Sequence, residues 1–178
     1  HGHRPRPRPG QAHRLTHWGW PQLQVLEVEP ASVPASLSQA AERHARGLSP
    51  ARPAGTAGEG AAPALVVRSG HPREALMACG LLAAALDKQA VVLADQAPAG
   101  LGPWLWLRGA LPVWQLELAP GECRELPVLP GYHGPVLVAM GLDGSMASEG
   151  DALPVWAVPL PAPHERVQLW QRHLGQMD

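Results

Sequence analysis

The chain has 178 residues, enough for one domain with a real core and too few for two large ones. Its formal net charge is −1, so the chain as a whole makes no strong electrostatic claim on nucleic acid or an anionic membrane. Charged residues are only 16%, and the apolar fraction rests on Ala, Leu and Val, with seven Trp and no Phe, so elements have to be read from small aliphatic side chains.

Two cysteines, Cys79 and Cys123, make neither a disulfide framework nor a zinc site, and two reduced thiols are expected. The opening residues are basic and Pro-rich with no apolar run behind them, so no signal peptide is expected. No segment reaches the roughly 18 uninterrupted apolar residues that span a bilayer. The chain does not open with Met, which suggests a fragment or single domain, and the cytoplasm is the expected location.

Residues 1–14, HGHRPRPRPGQAHR, form a basic tail in which alternating Arg and Pro oppose helix and favour extended, solvated chain. His1, His3 and His13 lie there, and ligands on a disordered tail make a weak metal site. Trp18 and Trp20 follow, either packed on the body or anchoring a partner. Residues 23–28, LQVLEV, read as a short strand. A helix is predicted after Ser36 as N-cap, stopped near Gly47, and its small apolar face (Leu37, Ala40, Ala41, Leu48) predicts weak packing. Residues 15–48 are thus an N-terminal strand-helix element, and the Pro, Gly and Ala of 49–63 a linker before a body at 64–178.

In the body, Leu65-Val66-Val67 is a run typical of a strand buried on both faces. A turn, Ser69-Gly70-His71-Pro72, leads into a helix over about 72–86 with Pro72 at its first position, where a missing N–H costs nothing. Ala75, Leu76, Cys79, Leu82, Ala83 and Leu86 form its apolar face. A second buried-type strand, 90–95, completes a βαβ unit, which implies a parallel sheet with a right-handed crossover. Residues 104–111 read as a short helix or a strand, 113–118 and 135–141 as strands, and 153–160 as a strand bounded by prolines. The stretch from Pro120 to Gly134 and the polar stretch from Leu142 to Ala152 read as loop and turns. A terminal helix over 163–174 carries a stripe of Val167, Leu169, Trp170 and Leu174 that should cover part of the sheet.

The unit LVVRSGHPREALMACGLLAAALDKQAVVLAD resembles the opening of AAA+ ATPases, in which a strand, a phosphate loop, a helix and a second strand ending in an acid follow in order. LPVWAVPLPAPHERVQLWQRHLG resembles the strand, P-x-P and helix that close an AAA+ core, and PVLVAMG the strand carrying the sensor residue. The resemblance covers about residues 64–175, and is nearest to the N-terminal, non-catalytic ATPase-like module of bacterial AAA+ proteins, including those accompanying contractile injection systems. It implies a three-layer P-loop NTPase-like α/β body with a mainly parallel sheet, and other AAA+ modules or subunits of a parent ATPase as partners.

The departures set the functional expectation. A working loop, G-x-x-x-x-G-K-[ST], cradles phosphate with backbone N–H groups, neutralises it with Lys and holds Mg²⁺ with its hydroxyl. Here Gly70 is followed by His71-Pro72-Arg73-Glu74-Ala75, without the second Gly, the Lys or the Ser/Thr. The strand over 111–118 carries Glu117 but no Asp-Glu pair, and the sensor position offers Met140 and Gly141. No catalytic residue, metal site, membrane contact or nucleic-acid contact is expected, and no cofactor. The alternative is weak phosphate or ATP binding at Ser69, Gly70 and Arg73, at a helix N-terminus that favours anions; otherwise Glu74 pairs locally and Arg73 is solvated. A third reading is an interaction protein using the basic tail. Asp143-Gly144 reads as a turn, His133 has no identifiable catalytic partner, and His164 lies near the N-cap of the last helix.

Overall fold

A computed structural model describes residues 23–28, 33–48, 63–94 and 96–174. The basic tail, Trp18 and Trp20, the expected linker and Asp95 lie outside these residues. In chain order the elements are β1 (Gln24–Leu26), α1 (Ala35–Leu48), β2 (Ala64–Arg68), α2 (Pro72–Ala85), β3 (Gln89–Leu93), α3 (Leu101–Arg108) and β4 (Ala110–Leu116). Then follow β5 (Cys123–Glu125), β6 (Val136–Met140), β7 (Ser145–Ser148), β8 (Asp151–Ala152), β9 (Val155–Ala157) and α4 (Pro163–Leu174).

The main sheet has six strands in the order β1-β3-β4-β6-β2-β9. β3, β4, β6, β2 and β9 run parallel, and β1 joins antiparallel to β3 at one edge. The expected mixed α/β architecture with a mostly parallel sheet is therefore present. Its strands alternate between two cores. Leu65, Val67, Leu111, Val113, Leu137 and Ala139 face α1 and α2, while Val66, Val91, Trp114, Val138 and Met140 face α3 and the segment around Leu129 and Tyr132. Both faces are covered, which is why these strands read as continuous apolar runs. Pro112 sits inside β4 without breaking it, because pairing with β6 begins only at Val113.

α2 starts where expected, with Pro72 at N1, and is enclosed on more than its predicted face. Gly80 and Leu81 are buried as well as Ala78, Cys79 and Leu82, because both α1 and the chain at Leu26 and Val28 pack against the helix. At Gly80 a Cβ would collide with Val28, so the chain after β1 is pressed against the helix backbone. α2 ends with Asp87 in the left-handed region (φ 54°), where Asp87 N donates to Ala84 O and Lys88 N to Ala83 O, the paired bonds of a Schellman motif.

α1 corrects two expectations. Its small face does not pack weakly: Leu37, Ala40, Ala41, Ala45 and Leu48 are all buried, because short side chains let α1 approach α2 closely. His44 stacks on Trp156 of β9, with ring centroids 4.8 Å apart, and burial, then Arg43, lowers its pKa. β1 thus shares one sheet, and α1 one core, with the rest. Ser36 is not the N-cap; the helix begins at Ala35, and the Pro34 carbonyl accepts from Leu37 and Ser38.

The stretch 104–111 resolves as α3 followed by β4, divided by Gly109 at φ 60°. The two stretches read as loop contain a second small sheet, β5-β7-β8, whose hairpin turn places Glu149 and Gly150 at φ 55° and 85°. Strands of two to four mostly polar residues carry no usable periodicity, which is why they were invisible in sequence. β9 is likewise only Val155–Ala157, shorter than the predicted 153–160.

α4 forms as predicted but does not bury its stripe: Val167 and Trp170 are 55% and 69% exposed. Its bonds to the body run through Glu165. One carboxylate oxygen accepts from Ser36 N at 3.1 Å; the other accepts from Ser36 Oγ at 2.8 Å and from Ala162 N at 3.1 Å. One side chain therefore caps the first turns of α1 and α4 together. The Ser36 hydroxyl, then the backbone N–H groups, hold its carboxyl below the usual carboxylate range.

Two outcomes follow. Leu82 is fully buried, and Leu82→Ala should cost about 2–5 kcal/mol through lost burial and the cavity left behind, measured by denaturant unfolding. A depressed folded pKa gives Glu165 a stabilising contribution that is present at neutral pH and lost as pH falls through the folded value. Glu165→Gln should therefore lower the melting temperature at pH 7, and the gap from the unsubstituted protein should close as the pH drops below the carboxylate range.

Candidate functional site

In open parallel sheets, ligands bind beyond the carboxyl ends of the strands. Here the C-terminal ends of β2, β6 and β4, consecutive in the sheet, border a pocket of about 250 Å³. Ser69 and Gly70 contribute from the β2–α2 turn and Pro72 from the start of α2, Gln115 to Leu118 from the end of β4 and the residues after it, and Ala139 to Gly141 with Asp143 from the end of β6 and the loop after it. Its lining is mostly apolar, and its charged residues are Glu117 and Asp143, with no cation.

Two of the three sequence-predicted phosphate contacts, Ser69 and Gly70, line this pocket, and Arg73 does not. Ser69 is buried, and its hydroxyl donates to Glu74 Oε2 at 2.6 Å. Ser69 Oγ in turn accepts from His71 N at 3.2 Å. His71 is the N-cap of α2, and its Nδ1 accepts from Arg73 N at 3.3 Å. Glu74 N and Ala75 N both donate to His71 O, and Pro72 has no N–H to give. The four orphan donors of a helix start are the groups a phosphate needs. At α2 those of the first turn are spent on the turn itself, and Glu74 puts a carboxylate beside them.

Arg68, the polar end of an otherwise apolar strand, was not singled out in the sequence. Its guanidinium donates to Leu142 O at 3.1 Å and to Gly144 O, tying the loop after β6 to the end of β2. Gly144 (φ 71°) leaves no room for a Cβ beside Leu118, so the Asp143-Gly144 turn folds against the segment after β4. Glu117 and the sensor-like Met140 and Gly141 reach the pocket by their positions at strand ends. His133 does not; it is exposed and sits edge-on to Trp106 on the surface over α3. Among the described residues no group of three or more His, Cys, Asp or Glu could hold a metal ion. Cys79 is buried, and burial pushes its thiol pKa up, so it is an inert core residue.

What the fold defines is an α/β protein with a mostly parallel sheet and a small pocket at its carboxyl edge. No protein family, characterised sequence or solved structure matches the chain. Arg73 is exposed and donates only its backbone N–H to the turn. Arg73→Ala should therefore shift unfolding free energy by no more than about 0.5 kcal/mol, in a thermal melt run with and without ATP.

Proposed function

We propose that this chain is a non-catalytic AAA+-like module, a structural or regulatory part of a larger ATP-binding protein in the cytoplasm. The observation that carries the reading is the self-satisfied start of α2. The Ser69 hydroxyl, the His71 ring and the His71 carbonyl take up the polar groups that a phosphate loop would present to nucleotide.

The arrangement of strands supports the AAA+ part of the reading. A phosphate loop, a Walker B acid and a sensor residue must all reach one phosphate, so their strands must end side by side. The strands that resemble these, β2, β4 and β6, are consecutive in the sheet and end at one pocket. The side chains there support the non-catalytic part. Two carboxylates and no cation disfavour an anion, and the volume falls below the roughly 300–1,000 Å³ of small-molecule sites. Without the loop Lys that neutralises the terminal phosphates and the loop Ser/Thr that holds Mg²⁺, hydrolysis would lack much of its electrostatic stabilisation. The natural partners on this reading are other AAA+ modules or subunits of the parent protein.

Calorimetry with ATP and Mg²⁺ tests it. No heat of binding at millimolar nucleotide is the expected result. Micromolar affinity that weakens in Arg73→Ala would overturn the proposal and establish a nucleotide sensor with a divergent loop.

A further inference from the structure

The pocket at the carboxyl edge of the sheet has a charge preference that the loss of nucleotide chemistry leaves unused. Glu117 and Asp143, both exposed, are its charged residues, and Gln115 adds an amide. A third carboxylate stands one bond away, where Glu74 Oε2 accepts the Ser69 hydroxyl at 2.6 Å. Arg68 is not in the lining; its terminal nitrogens donate to Leu142 O and Gly144 O. The N-terminal dipole of α2 favours an anion, and Glu74 in the first turn already supplies one. The balance of charge around the cavity is negative, so the group it attracts is a cation.

The walls carry a second sign of an occupant. A glycine usually answers to a positive φ or to a neighbour that leaves no room for a Cβ. Gly100, Gly109 and Gly150 show the first, and Gly80, Gly102 and Gly134 the second. Gly70 and Gly141, both in the lining, show neither, and among the described residues only Gly47 of α1 shares this. A Cβ at Gly141 would meet nothing within 4 Å, and one at Gly70 only the end of Leu142, at 3.8 Å. Packing and backbone do not require glycine at these two positions, and glycine there loses more conformational freedom on folding than any other residue. What bare backbone provides is close approach to the cavity.

Size and surroundings select the carrier of the cation. The cavity, about 250 Å³, falls below the roughly 300–1,000 Å³ of small-molecule sites and suits a single long side chain. Leu116, Leu118, Ala139 and Met140 offer apolar walls to an aliphatic stem. Glu117 and Asp143 follow different strands, and a compact ammonium with three rotatable donors reaches such acceptors without the coplanar pair that a guanidinium fork wants. Ion pairs to exposed carboxylates contribute little each, so a free amine would be weakly held. Leu142, 66% exposed and beside Gly70, adds apolar surface that the residues flanking a lysine in a protein would cover.

We propose that this pocket takes the lysine side chain of a protein partner, its ammonium held by Glu117 and Asp143. The inference rests on the non-catalytic part of the reading above, because nucleotide at the start of α2 would fill the same space. A capped tripeptide with lysine between two leucines tests it, titrated into the full chain and followed by backbone amide resonances. The signals of Gly70 and Gly141 should move and those of α1 should stay. Glu117→Gln together with Asp143→Asn should weaken binding about five- to tenfold, the effect of losing two exposed ion pairs. Both side chains are exposed, so this variant keeps its fold. Gly141→Leu, which fills the cavity, should abolish the shifts. The same peptide with norleucine in place of lysine should bind no better than the lysine peptide binds the double variant. Unmoved Gly70 and Gly141 signals at millimolar peptide overturn the proposal, as does unchanged affinity in the double variant or equal affinity for the norleucine peptide. Butylammonium binding as tightly as the peptide would overturn it too, since the occupant would then be a free amine. A separate titration with ATP keeps the two readings apart. Binding of ATP sinks the non-catalytic reading, whereas silence from both ATP and the peptide sinks the lysine site alone.

Discussion

The structure depends on one constraint: α2 has almost no polar side to give to water. Beyond its first turn it is built of Ala, Leu, Met, Cys and Gly, and a helix apolar on nearly all sides must be enclosed. The sheet covers one side and α1 the other, with Val28 set against Gly80 to close the gap. Because α1 supplies the outer cover, α1 with Leu26 and Val28 is part of the core, and β1 takes the sheet edge. The same need explains why α1 is rich in Ala. A larger face would hold the helices apart and leave Gly80 and Leu81 partly wet, whereas interiors are close-packed.

Enclosure also fixes what the start of α2 can do. A helix held rigidly on two sides delivers its N-terminal N–H groups to a defined spot at the carboxyl edge of the sheet, which is the geometry of an anion site. In this chain the spot is filled by the protein's own acceptors. Ser69, His71 and Glu74 form a small closed network, and Arg68 holds the neighbouring loop with two carbonyl bonds. The polar groups are not missing from the site; they are turned inward. On the proposed reading, that would distinguish an empty phosphate loop from an internally closed one by hydrogen-bond partners and not by fold.

The elements legible in the sequence are those whose burial is two-sided or whose caps are local. Leu65-Val66-Val67, the Pro72 start and the buried strand at 136–140 could be read because apolar runs and Pro placement report directly on burial and on φ. Ser69 and Gly70 could be placed at the site because the strand-turn-helix order is contiguous in sequence. The misses have a common cause. The packing strength of α1 depends on how near α2 comes, which small side chains decide and a hydrophobic pattern does not record. In the β5-β7-β8 sheet, β5 pairs with β7 across 22 positions (Cys123 with Ser145), a link between short polar segments that no local pattern records. Ser36 was read as a cap by its type, and its true role depends on Glu165, 129 positions away.

Self-capping has a thermodynamic consequence for a module proposed to serve as a scaffold. A ligand stabilises a fold only through preferential binding to the native state, by RT ln(1 + [L]/Kd). A phosphate loop whose N–H groups wait for nucleotide therefore ties local order to nucleotide level. Closing those groups with Ser69, His71 and the His71 carbonyl removes that coupling, since the native state then satisfies its donors at any nucleotide concentration. The cost of burying the Ser69 hydroxyl is met by the Glu74 bond, and the anion that α2's N-terminal dipole favours is supplied by Glu74 itself. On the proposed reading, a body so arranged would keep one shape while a neighbouring ATPase cycled.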